Sequence, residues 1–129
     1  MAKDFLDIRI DRELVDAVTT RMVLKPQTLD ISVATNLHAD IPSDLAVALF
    51  GSLGIGPTAN LNPERAFSSM FEPIHDSAFD IAGKGIANPI CTIWSATMML
   101  ENLGESVVAA KLMAAVEKVT ASGYATSDL

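Results

Sequence analysis

The sequence has 129 residues, enough for one domain but not a second full one; half of them are apolar and 19% charged, too oily a balance for a disordered chain. Nine Lys and Arg stand against sixteen Asp and Glu, a net charge of −7. There is no basic cluster of the kind a phosphate-backbone binder needs, so nucleic acid is not an expected partner. No apolar run approaches the roughly eighteen residues of a membrane span, and residues 1–10 carry Asp4 and Asp7 where a signal peptide would be uninterrupted apolar.

From Glu13 to Leu24 the apolar residues Leu14, Val15, Ala17, Val18, Met22 and Val23 recur at helical spacing. This predicts a helix over about 11–24, capped by Asp11 and stopped by Pro26. Residues 29–35 alternate and are rich in β-branched side chains, which predicts a strand, parallel to others, with one face on the core. Residues 36–40 then read as a strand-to-helix turn, and 41–50 as a helix with Pro42 in its first turn, where a missing N–H costs least. Gly51 ends it.

Five of the seven glycines and four of the six prolines fall between Gly51 and Pro89, so this stretch reads as loops with short structured pieces. Long ordered loops are more often binding surfaces than spacers, which makes it the place to look for a site. Pro89 opens a helix over 90–103 that is apolar almost all round, including Trp94, Met98, Met99 and Leu100, and should be buried on more than one face. Gly104 separates it from an amphipathic helix at about 105–121, and 123–129 reads as a polar tail. A chain of this size can bury roughly two-thirds of its extended surface, so a substantial core is expected. The single cysteine, Cys91, has no internal disulfide partner and lies in an apolar segment, which fits a reduced, cytoplasmic protein.

Two constellations could carry chemistry. Asp40 and Asp44 stand at i and i+4, which a helix places on one face one turn apart. Hard cations such as Mg²⁺ and Mn²⁺ take oxygen ligands in that arrangement, and an acid-capped helix start has the same spacing. His38 lies two residues before Asp40 without a second His or Cys nearby, which reads as a turn residue. In residues 71–89, His75, Asp80 and Asn88 punctuate a glycine-containing loop before a helix. Such groups can hold a purine, a ribose diol and an amide edge; the same residues also make ordinary turns. Neither G-x-G-x-x-G nor a P-loop is present, and the glycines at 51, 54 and 56 are in the wrong order for either. No nucleophile elbow surrounds Ser43, Ser68 or Ser69.

Read together, these segments resemble the isocitrate and isopropylmalate dehydrogenase family. Thr35-Asn-Leu-His-Ala-Asp-Ile-Pro-Ser-Asp-Leu45 is similar to its metal-binding N-L-F-G-D-I-L-S-D-L stretch. Residues 71–89, FEPIHDSAFDIAGKGIANP, resemble its nucleotide loop, F-E-P-V-H-G-S-A-P-D-I-A-G-K-G-I-A-N-P. The run from Ala59 to Arg65 and the Ser69-Met-Phe-Glu-Pro73 stretch are most similar to the tartrate and D-malate dehydrogenase branch. The resemblance covers nearly everything from Asp11 to Val119.

The resemblance implies an α/β fold: a partial isopropylmalate-dehydrogenase-like domain spanning 1–129, with an incomplete sheet, packed helices and a contribution to a dimer. It implies Mg²⁺ or Mn²⁺ held by Asp40 and Asp44, with Asp16 reaching across a dimer interface. It implies NAD as cofactor, with His75 and Asn88 at adenine, Asp80 and Ile81 at the adenosine ribose, and Glu72, Ser77 and Ala78 completing the set. A carboxylate at the ribose repels a 2′-phosphate, so NAD is favoured over NADP. The implied substrate is a small 2-hydroxy diacid such as tartrate or D-malate. The family's catalytic Tyr and Lys and its substrate-clamping arginines precede the part matched by Asp11, and Tyr124 matches none of them. The chain therefore reads as a truncated or split dehydrogenase that needs a complementing chain or second protomer; the alternative is an inactive remnant or an interaction module. The family's Gly after the His is Asp76 here, and its Pro before the ribose Asp is Phe79. Ala39, Pro42 and His38 also depart from the metal-turn pattern.

Overall fold

The computed structural model describes residues 6–129; the first five residues of the stretch read above for a leader lie outside it. Four helices are present among the described residues: α1 (Val15–Leu24), α2 (Asn36–Phe50), α3 (Ile90–Asn102) and α4 (Ser106–Ala121), with one sheet of two strands, β1 (Pro57–Asn60) and β2 (Met70–Pro73). The chain divides into two compact units, Met1–Ala46 and Val47–Leu129, with the boundary inside α2. No helix among the described residues is long and apolar enough to cross a membrane.

In the first unit, α1 begins four residues later than its periodicity predicts. Asp11 does not cap it: its carboxylate pairs with Arg9 at 3.0 Å, and Leu14 stands at the cap position without a side-chain hydrogen bond. Arg21 holds the other end, donating from Nε to Thr28 Oγ1 at 2.7 Å, and also to the Thr28 carbonyl and to Glu13. This clamps the short 3₁₀ turn Pro26–Thr28 against the helix terminus.

The strand predicted over 29–35 does not form. A strand exists only by its ladder, and no segment among the described residues pairs with this one. Ile31 and Val33, the face that should meet a core, are 88% and 85% exposed. Helix α2 correspondingly starts at Asn36 rather than near Ile41, because Thr35 terminates it well. The Thr35 carbonyl accepts the Ala39 N–H at 2.9 Å and its hydroxyl meets His38 Nδ1 at 2.9 Å. Pro42 therefore sits inside the helix, not in its first turn, and its missing N–H leaves the His38 carbonyl without its helical partner.

In the second unit β1 and β2 pair antiparallel in the register Pro57↔Pro73 to Asn60↔Met70. Asn62 organises the connection: its Oδ1 accepts the Ala66 N–H at 2.9 Å and its own N–H donates to Ser69 Oγ at 3.0 Å. Arg65, at φ 54°, donates to the Asn102 carbonyl at 2.7 Å and so caps the end of α3. Helix α3 lies on the hairpin through small groups. Ser95 Oγ donates to the Glu72 carbonyl at 2.9 Å, Cys91 Sγ to the Gly56 carbonyl at 2.7 Å, and Thr58 Oγ1 to the same Glu72 oxygen at 2.9 Å. Each such bond is worth about 1 kcal/mol net. Gly104, at φ 90°, turns the chain so that α4 packs on α3.

The core is thinner than composition predicts. Among the described residues Cys91 and Ala109 are the fully buried apolar side chains, joined by Ser52, Asn88, Ser95 and Thr97. On α3 the hairpin covers one face, whereas Met99, and Leu103 just beyond the helix, remain exposed. Helix α4 covers a second face of α3, as the all-round apolar sequence of α3 predicts, although most side chains of α3 are only half-buried.

Candidate functional site

The metal constellation lies in the first unit. Asp40 and Asp44 occupy one face of α2, one turn apart, both exposed and neither in an ion pair among the described residues. Ser43 Oγ donates to the Asp40 carbonyl at 2.7 Å, and the exposed Asn36 stands one turn before Asp40 on the face of the two carboxylates. Asp16, in the first turn of α1, lines an open groove with His38 and Ser43; Asp40 and Asp44 do not line it. No cluster of three or more His, Cys, Asp or Glu that could hold a metal occurs among the described residues. The pair on α2 thus offers two carboxylate ligands, with no third His, Cys, Asp or Glu gathered beside them among the described residues.

The loop of residues 71–89 lies in the second unit, and its ends are anchored by backbone. Glu72 is in β2, opposite Thr58, and the Ile74 N–H donates to Gly56 at 3.1 Å. His75 Nδ1 meets the Asp76 carbonyl at 3.0 Å. A carbonyl only accepts, so Nδ1 carries the proton and Nε2 of the neutral ring is an acceptor. That Nε2 is shielded from solvent and has no hydrogen-bond partner among the described residues. Asp76 and Ala78 lie at φ 49° and 39°, in the left-handed region. The substitution at Asp76 has kept a backbone conformation that glycine adopts at least cost. The Ala78 carbonyl then accepts from Ile81 at 3.0 Å and Ala82 at 3.1 Å, a tight turn that leaves Ser77 and Asp80 exposed and Ile81 half-buried. Phe79 projects into solvent, 89% exposed, so its bulk does not crowd the turn.

Asn88 is the most enclosed of the predicted residues, at 8% exposure. Its Oδ1 accepts the Ile90 N–H at 3.0 Å, fastening the loop to the start of α3, and its Nδ2 donates to Asp128 Oδ2 at 3.0 Å. The same oxygen accepts from Ser52 Oγ at 2.6 Å, and Ser52 in turn accepts the Gly54 N–H at 2.9 Å. Hydrogen bonding, chiefly from Ser52, holds the Asp128 carboxyl down at about 2. Beside Asn88 an apolar cleft of about 400 Å³ runs between α3 and α4, lined in part by Ile93, Leu112, Val116 and Tyr124.

Ser52 and Asp128 are the residues that sequence reasoning missed. Ser52 stood in a glycine-rich run matching no phosphate motif, and Asp128 in a segment read as a polar tail. Their one local signal is Ser-x-Gly, a hydroxyl positioned to cap the next turn. The pairing itself spans 76 residues.

The isocitrate/isopropylmalate dehydrogenase family model matches residues 1–129. The chain belongs to the isocitrate/isopropylmalate dehydrogenase family. Within it, the chain is 66% identical over its whole length to a probable tartrate dehydrogenase/decarboxylase of Agrobacterium vitis, covering 36% of that protein. It is 48% identical to the D-malate dehydrogenase [decarboxylating] of Escherichia coli (strain K12), covering 37% of it. Among solved structures, the isocitrate dehydrogenase of Methylococcus capsulatus superposes with a TM-score of 0.88 at 45% identity, over 99% of this chain and 37% of that one. The chain is therefore a fragment of the family fold in the tartrate and D-malate dehydrogenase branch, spanning little more than a third of its relatives' length. Its four helices and small sheet are a partial version of that α/β fold.

Proposed function

We propose that this chain is a single partial domain carrying the metal-binding and nucleotide-binding segments of an NAD- and Mg²⁺- or Mn²⁺-dependent dehydrogenase. The reaction is oxidation or oxidative decarboxylation of a small 2-hydroxy diacid such as tartrate or D-malate. What carries the reading is 66% identity over the whole chain to a probable tartrate dehydrogenase/decarboxylase. Asp40 and Asp44 would hold the metal, with Asp16 serving the site of a second protomer; two exposed carboxylates one helical turn apart fit a hard cation. A metal bound there supplies polarisation of the substrate's 2-hydroxyl and adjacent carboxylate. His75, with its unpartnered Nε2, and Asn88 would receive adenine. Asp80 and Ile81 would face the ribose, where a carboxylate accepts its hydroxyls, and Glu72, Ser77 and Ala78 would line the rest.

No residue of this chain is assigned proton transfer at the substrate. The groups for that step belong to family segments that these residues do not match, and the exposed Ile31 and Val33 favour packing against a further segment or chain. The test is thermal denaturation with Mn²⁺ and NAD, alone and together. Each ligand at a hundred times its dissociation constant should stabilise by about 2.7 kcal/mol, and Asp40→Asn should abolish the Mn²⁺ effect while sparing that of NAD. A folded sample that responds to neither ligand would make the chain an inactive interaction module of a full-length relative.

A further inference from the structure

The Asn88 amide could in principle sit in either of two flips, exchanging Oδ1 and Nδ2. Its neighbours remove the choice. Asp128, a carboxylate, only accepts; the Ile90 N–H only donates; the two meet opposite ends of the amide, each at 3.0 Å. One Nδ2 hydrogen and one Oδ1 lone pair are thereby committed, and one of each is left. The carboxylate is itself held, by Ser52 Oγ at 2.6 Å. It also lies close over Gly54, where a β-carbon would come 2.4 Å from Asp128 Oδ2 and 2.9 Å from Asn88 Nδ2. Gly54 is thus the residue whose missing side chain lets residues 52, 88 and 128 converge.

We propose that Asp128 is a positioning residue for purine recognition: seated on Ser52 over Gly54, it locks the Asn88 amide in one flip, so that the remaining Nδ2 hydrogen is presented to an adenine ring nitrogen. The proposal rests on the nucleotide-loop reading above and adds to it a residue outside the loop. Without the carboxylate only the Ile90 N–H holds the amide, and the flip that offers an oxygen to an acceptor nitrogen becomes accessible.

The experiment uses the full chain, Asp128→Asn and Ser52→Ala, with AMP as the probe and the side-chain amide resonances of Asn88 as the readout. Asp128→Asn keeps size and one acceptor but removes the obligate acceptor; Ser52→Ala loosens the carboxylate and leaves it charged. In the unsubstituted chain the Asn88 NH₂ pair should exchange slowly with solvent and move on AMP addition. Asp128→Asn should speed that exchange at least about tenfold and weaken AMP about tenfold, with Ser52→Ala intermediate. The Mn²⁺ response should be unchanged, and α3 backbone protection should fall by no more than about fivefold, less than the change at Asn88; a merely structural role would move both alike. Equal AMP affinity in all three chains, or unaltered Asn88 exchange in Asp128→Asn, would overturn the positioning role alone. Failure of the unsubstituted chain to bind AMP would overturn the nucleotide-loop reading and this proposal with it.

Discussion

Gly56 marks the tightest approach in the second unit, and replacing it with alanine tests the packing under the nucleotide loop. Its backbone, at φ −94° and ψ 91°, is open to any residue, so Gly56→Ala introduces no backbone strain. The restriction of the unfolded chain alone would stabilise by about 0.4–1 kcal/mol. The added β-carbon, however, would lie 2.5 Å from Val47 Cγ1, 2.9 Å from Val47 Cγ2 and 2.9 Å from Ile74 Cγ2. Val47 is β-branched and on α2, where one χ1 rotamer is strongly preferred, and both its methyls are too close for rotation to clear the clash. Nor can the backbone retreat freely, since the Gly56 carbonyl receives both the Cys91 thiol at 2.7 Å and the Ile74 N–H at 3.1 Å. Overpacking of this kind costs about 1–3 kcal/mol, which outweighs the unfolded-state gain and leaves a net loss of about 1–2 kcal/mol. For a unit of this size that is a fall in Tm of about 5–10 °C. Thermal and urea denaturation measure it, and Val47→Ala in the same background should recover most of the loss as a coupling term. A Gly56→Ala protein that melts at or above the parent temperature would refute the reasoning.

Acid should weaken the protein through Asp128. Its folded pKa, about 2, lies below the ordinary 3.8, so the contribution is present above about pH 4 and is lost as pH falls through 2. Allowing for screening at an exposed residue, the loss is about 1 kcal/mol, absent from Asp128→Asn in an acid titration followed by circular dichroism. Asp76→Gly should raise stability by about 0.5–1 kcal/mol in urea melts, because φ 49° favours glycine; a loss would mean that the Asp76 side chain has a contact of its own. Cys91 is fully buried and desolvation raises its thiol above the ordinary 9.0. A thiol-reactive dye should label it only as fast as the unit opens. Stability should also fall as pH rises beyond 9.0, where the unfolded thiol ionises and the folded one does not; rapid labelling at neutral pH would contradict the burial.

Helices α1, α3 and α4 were legible because their apolar residues repeat at helical spacing and glycine or proline bounds them. The segment over 29–35 has equally clear alternation and no strand, since β structure is a property of two segments and a sequence pattern describes one. The hairpin escaped notice for the opposite reason: β1 and β2 are four residues each, with Pro57 and Pro73 paired at one end, and they look like the loop around them. At the candidate site, contiguity decided what could be read. Asp40 with Asp44, and His75 through Asn88, sit within single stretches whose order carries the family resemblance. Ser52 and Asp128 carry no such order, and only the fold brings them together.

The bonds from Ser52 and Asn88 to Asp128 close loops of 76 and 40 residues, whereas the hairpin and the α3–α4 pair join neighbours in sequence. Loop closure opposes the long connections, so the hairpin and helix pair should assemble first and the Asp128 contact last. Run in reverse, the same order gives the native ensemble a partly opened member in which the end of the chain has lifted from residues 52 and 88 while α3 still lies on the hairpin. Hydrogen exchange should then find two tiers in one small unit. Amides of α3 would exchange by cooperative unfolding, and the Asn88 side chain by a cheaper, local release.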